Sequence, residues 1–228
     1  MDLRVAATRA IAAMLLCMPM QGILSLQLSK SPSKPIVGTV QAGPLEISSL
    51  GCGTWAWGNQ LLWGYDTSQD DAIYEAYRAV RDAGVTVFDT ADSYGTMKLN
   101  GRAEILLGQF ERRYLNEMME IGGSTDNFFE SFLGNFGNGA SINTTPRPQQ
   151  VATKFAPYPW RITRGSFVAA ARESLQRLEQ DKLAIAQLHW STANYQPLQE
   201  RALWEGIADV YDEGLCEAVG VRYVRISH

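Results

Sequence analysis

The sequence predicts an α/β protein built on a parallel sheet. Past residue 35, short apolar runs alternate with longer segments of helical periodicity, four times in succession, before a further strand. That order calls for parallel strands joined by right-handed helical crossovers. Hydrophobic residues make up 46% of the chain and aromatics 10%, enough to cover both faces of such a sheet. A doubly wound sheet and a (β/α)₈ barrel both satisfy the order. No G-x-G-x-x-G loop follows the first strand of the series, which weighs against the dinucleotide-binding form of the doubly wound sheet.

The elements follow in order. Ile36–Val40 and Leu45–Ile47, on either side of Gly43-Pro44, predict a short hairpin. Leu50–Trp55 predicts the first strand of the series. Ser68–Ala83 predicts a helix capped by Ser68, with Asp70 and Asp71 at its positive end, Gly84 after its stop, and Ala72, Ala76, Tyr77 and Val80 on its core face. Val85–Asp89 is a strand and Ala103–Tyr114 a helix. Val151–Lys154 is the third strand, and Ser166–Leu178 a helix burying Phe167, Ala171, Leu175 and Leu178. Leu183–His189 is the fourth strand. Pro197–Asp212 has proline in its first turn and Gly214 past its end, with Leu203, Trp204, Ile207 and Tyr211 facing the core. Ala218–Val221 begins a fifth strand. The polar stretch 122–150 is long for a loop and predicts a surface insertion. Its Asn143-Thr144-Thr145 sequon matters only on a secretory route.

The net charge is −4 with no basic stripe, so nucleic acid is not an expected partner. The three cysteines fit no metal or redox spacing, and Cys52 and Cys216 read as small buried residues. Two histidines supply no histidine-based metal site. Residues 1–35 predict a targeting peptide: Arg4 and Arg9 precede the apolar stretch Ala10–Met20, and no acidic residue lies between Asp2 and Glu46. A signal peptide, a plastid transit peptide and a combination of both fit this grammar. Pro19, Gln21, Ser25 and Gln27 dilute the apolar stretch below a stable membrane span.

Parallel barrels place their chemistry at the C-terminal ends of the strands. Here those ends carry Gly53-Thr54-Trp55, then Asp89 with Tyr94 five residues on, then Lys154, then His189-Trp190. The four ionisable groups have compatible roles in carbonyl reduction. Tyr94 can give a proton to a carbonyl oxygen. Lys154 can lower its pKa, Asp89 can hold Lys154 charged, and His189 can orient the carbonyl.

The segments LGCGTWAWG, VFDTADSYG, GRAEILLGQF, VATKFAPYPWR, RESLQRLEQDKLAIAQLHW and GLCEAVGV resemble, in order, successive motifs of the aldo-keto reductases, and VATKFAPYPWR resembles their plastid-targeted branch of plants and algae. The resemblance implies a (β/α)₈ TIM barrel with an N-terminal hairpin at its base. It implies reduction of a small aldehyde or ketone, such as pyridoxal or a reactive aldehyde, by NADPH without metal, and a plastid address with the secretory pathway as the alternative. Asp89, Tyr94, Lys154 and His189 would be its catalytic four. Gly53, Thr54, Trp55 and Asp89 would approach NADP(H); Trp55, Tyr94, His189 and Trp190 would approach the substrate. After Val221 the resemblance stops: Arg222-Tyr223 stands where the family has a Ser-Asn pair. The expectation is therefore a C-terminally truncated, partial barrel over residues 36–228, with about five of the eight βα units. The alternative is a non-catalytic fragment acting, if at all, as a binding partner through open sheet edges.

Overall fold

A computed structural model describes residues 37–122, 146–193 and 195–222. The expected targeting peptide, most of the expected insertion and the Asn143 sequon lie outside them. Strands β1 (Thr39–Ala42) and β2 (Leu45–Ser48) form the expected antiparallel hairpin. Gly43 turns it with a φ of 59°, a left-handed conformation that glycine adopts without steric cost.

Strands β3 (Gly51–Gly53), β4 (Val87–Asp89), β5 (Gln150–Phe155), β6 (Leu183–Leu188) and β7 (Cys216–Val221) form one parallel sheet in chain order. The fold is that of a TIM barrel in part: among the described residues the sheet has five strands and does not close. A short helix α1 (Gln60–Trp63), absent from the sequence reading, follows β3. The main helices are α2 (Asp70–Asp82), α3 (Arg102–Gly122), α4 (Arg164–Leu178) and α5 (Pro197–Asp212).

Several details differ from expectation. The cap before α2 is Asp66, not Ser68: its carboxylate accepts from the Ser68 N–H, and Gln69 reaches back to the Asp66 N–H across a short 3₁₀ turn. The core face of α2 is Tyr74, Tyr77 and Arg81, whereas Ala72 and Ala76 are exposed. The large rings won because Tyr74, Tyr77, Phe88, Phe110 and Trp57 pack edge-to-face or tilted against one another, a payload alanines cannot match. Arg81 enters the core because Glu111 pairs with it at 3.0 Å. On α5, Leu203 and Ile207 are buried as expected, but Trp204 and Tyr211 stay exposed and Ala202, Gly206 and Val210 complete the face. The Trp204 indole instead donates to Glu200. Cys216 is buried, while Cys52 is only half-buried.

Helices α3 and α4 approach closely at Gly108, where a Cβ would stand 2.8 Å from the Arg177 and Leu178 carbonyl oxygens. A buried charge ties them together. Glu104 on α3, fully buried, pairs with Arg177 of α4 at 2.7 Å and accepts from Thr153 of β5 at 2.5 Å and Ser174 of α4 at 3.1 Å. No helix among the described residues is long and apolar enough to cross a membrane.

Candidate active site

Strand register alone gathers the polar strand ends on one face. Directly paired residues of parallel strands point the same way, and side chains alternate along each strand. Gly53 pairs with Asp89 and Asp89 with Ala152, two residues before Lys154. Lys154 pairs with Gln187, two residues before His189. Asp89, Lys154 and His189 therefore share a face. Thr153, one residue from Lys154, points the opposite way to Glu104 on the helices.

Side chains complete the cluster. The Lys154 ammonium sits 2.6 Å from an Asp89 carboxylate oxygen and donates to the Thr90 carbonyl at 2.8 Å. Its side chain is 2% exposed and that of Asp89 48%. Lys154 Nζ lies 5.1 Å from the Tyr94 ring centroid, and the Tyr94 ring meets that of His189 edge-on at 5.8 Å. Tyr94, Lys154, Asp89 and His189 thus come together. Trp55 is exposed at the rim, and Trp190 packs at 4.8 Å against His189 while donating to the Tyr195 hydroxyl. Thr54, expected beside the cofactor, is fully buried: its hydroxyl and its N–H both donate to the Asp89 carbonyl, and its own carbonyl accepts from the Trp57 N–H, so it braces the strand end and has no surface open to a ligand. At Gly53 an added Cβ would meet nothing within 4 Å, which leaves room above the strand end.

The electrostatics depart from one expectation. The Tyr94 pKa is raised, not lowered: burial dominates, Asp89 adds to it, and Arg222 opposes. The physical reason is position, since Lys154 lies against the ring and is already paired with Asp89. Burial also lowers the Lys154 pKa, which the Asp89 contact counters. A phenol with a raised pKa stays protonated at neutral pH, the form an acid needs.

Three further residues were not assigned to the site from sequence. Asp92 accepts from the Ala156 N–H at 3.1 Å, pairs with Arg161, and donates its own N–H to the Lys154 carbonyl, so it ties the Tyr94 loop to the end of β5. A lone acid between Asp89 and Tyr94 was the available signal. Gly95 follows Tyr94 with a φ of 122°, and a Cβ there would fall 1.8 Å from the Leu99 carbonyl oxygen, so only glycine fits. Arg222, just past β7, brings Nη1 to 2.9 Å from His189 Nε2.

The His189 pKa is pushed down to about 4, mainly by burial and then by the positive charges of Lys154 and Arg222, with Asp89 opposing. A histidine held neutral in the fold contributes stability above its ordinary pKa of 6.5 that is lost as pH falls through about 4. Burial pushes Asp92 the other way, to about 6, with Arg161 opposing. That contribution is full below 3.8 and lost as pH rises through about 6. The two slopes oppose each other, so the native chain understates both. Replacing His189→Gln removes one. Its urea midpoint should gain on that of the native chain as pH is lowered from neutrality to about 4.5. A difference between the two chains that does not change with pH would contradict the buried neutral histidine.

Residues 49–228 match the model of the Aldo/keto reductase family. The chain is 49% identical over 182 residues to a chloroplastic pyridoxal reductase of Arabidopsis thaliana, covering 80% of this chain and 43% of that protein. It is 26% identical over 189 residues to an NADH-specific methylglyoxal reductase of Escherichia coli, covering 81% and 51% respectively. The chain spans about half the length of these curated relatives. Among solved structures, an aldo-keto reductase of Klebsiella pneumoniae in complex with NADPH aligns at 26% identity with a TM-score of 0.55, over 84% of this chain and 51% of that one.

Proposed function

Because the chain belongs to the aldo/keto reductase family, we propose that it reduces an aldehyde or ketone to the alcohol with NADPH as reductant. The observation that carries this reading is the pairing of buried Lys154 with half-exposed Asp89 against the Tyr94 ring, with His189 beside it. Tyr94 gives a proton to the carbonyl oxygen as that oxygen gains negative charge. Lys154, kept charged by Asp89, stabilises the phenolate left behind. His189 orients the carbonyl, and Trp55 and Trp190 flank it.

The residues present fit the nicotinamide-ribose end of NADPH. Only one Asp89 oxygen meets Lys154 and the side chain is half exposed, so the carboxylate retains capacity to accept from a ribose hydroxyl. The open space over Gly53 and the exposed Trp55 indole leave room for the ring. Gly53, Trp55 and Asp89 would hold it, with Thr54 bracing the strand end beneath them. When bound, NADPH supplies the hydride. We further assign residues 1–35 as a plastid-targeting segment, a reading supported by their acid-poor, basic-then-apolar grammar and by the chloroplastic Arabidopsis relative.

The purified chain, mixed with NADPH and either pyridoxal or methylglyoxal, should consume NADPH with alcohol formed in equal amount. No turnover with these, with simple aromatic aldehydes or with a 2-oxo acid, in a chain that binds NADPH, would overturn the catalytic reading.

A further inference from the structure

Arg222 changes what the site can hold. A guanidinium is a donor only, so its contact at 2.9 Å makes His189 Nε2 the acceptor. With the ring neutral, the proton then sits on Nδ1. That atom is buried and has no hydrogen-bond partner. The contact thus holds His189 in the tautomer whose Nε2 cannot donate to a carbonyl, and it leaves a buried N–H unsatisfied. If something draws Arg222 away and lets Nε2 carry the proton, the ring can donate to a carbonyl, and Nδ1 is left as a bare acceptor in place of a buried N–H.

The charge balance says what that something is. Lys154 and Asp89 offset each other. Arg222 is exposed and, among the described residues, has no carboxylate partner, so it leaves the cluster one positive charge in excess. A carboxylate matches the guanidinium fork through two parallel hydrogen bonds. Arg222 Nη1 stands 2.9 Å from the nitrogen that a substrate carbonyl oxygen would use, so a carboxylate next to the carbonyl carbon meets the guanidinium with the least movement. We propose that Arg222 is a carboxylate-binding residue of the site, fitting a 2-oxo acid whose carboxylate engages Arg222 while its carbonyl oxygen accepts from His189 Nε2 and the Tyr94 hydroxyl. This rests on the reductase reading and narrows its substrate class.

The test uses the full chain and oxamate, an unreactive 2-oxo acid analogue. Nitrogen NMR reads the His189 tautomer, with the other histidine removed by His228→Gln. Free protein should show Nε2 unprotonated. Oxamate should bind saturably and convert it to the protonated form. Arg222→Ser and the longer Arg222→Gln should each weaken oxamate at least about 10-fold, as loss of a charge-assisted pair requires. In both variants without ligand, the Nε2 signal should leave the native position. Oxamate leaving His189 unmoved, or binding both variants as tightly as the native chain, would overturn the proposal. The same tautomer change with acetate would overturn the demand for an adjacent carbonyl. An NADPH titration of the same sample reads the reductase assignment separately: NADPH binding without an oxamate response defeats only the Arg222 proposal.

Discussion

Tyr94→Phe should lower kcat for the proposed carbonyl reduction by about 10²–10⁴-fold and leave NADPH affinity unchanged. The phenol oxygen is the only atom removed. The ring stays, so its contacts with Lys154 and His189 persist and the loop keeps its shape. The hydroxyl has no hydrogen-bond partner among the described residues, so deleting it unsatisfies nothing in the fold and the urea midpoint should barely move. A stable variant that binds NADPH and has lost turnover isolates the proton donor. Retention of the rate would mean that another group, or solvent, supplies the proton.

Glu104→Ala should cost about 3–5 kcal/mol of stability, measured as a lower urea midpoint. The side chain is fully buried and gathers three partners from two elements: Thr153 on β5, and Ser174 and Arg177 on α4. Its loss leaves the Arg177 guanidinium with only the exposed Glu173 carboxylate at 3.9 Å, and two buried hydroxyls without their acceptor. Glu104→Gln keeps an acceptor and should lose less. Because Thr153 precedes Lys154, the same substitution should also reduce turnover, by loosening β5 where the ammonium is held. A midpoint within about 0.5 kcal/mol of the native chain, the range of ordinary surface changes, would mean that this network is solvated in solution.

The fold was legible where backbone chemistry punctuates it. Pro197 and Gly214 bracket α5, and Phe167, Ala171, Leu175 and Leu178 mark the core side of α4 by period alone. Where a helix has two plausible faces, period fails. On α2 the alanines are neutral markers, and the choice fell to tyrosines whose rings fill the space under the sheet. Trp204 and Tyr211 carry polar tips, so their size does not oblige burial.

The strand-end position of Asp89, Lys154 and His189 was readable because parallel register puts alternate residues on one face. Their electrostatics were not. Which part of Tyr94 the lysine approaches depends on the path of the loop from Asp89 to Gly95, set by the Asp92–Arg161 tie and the Gly95 turn. The Arg222–His189 contact joins residues 33 apart, and the sequence offered only an arginine in place of an expected serine.

The most direct test of the account is an NADPH titration of the chain followed by tryptophan fluorescence. Trp55 lies where the nicotinamide-ribose end is proposed to bind, and it is one of six tryptophans. The account predicts a saturable quench with one site per chain, diminished by Trp55→Phe and weakened by Asp89→Ala. A signal that does not saturate, or one that both substitutions leave untouched, would contradict the claim that these strand ends form a reductase site.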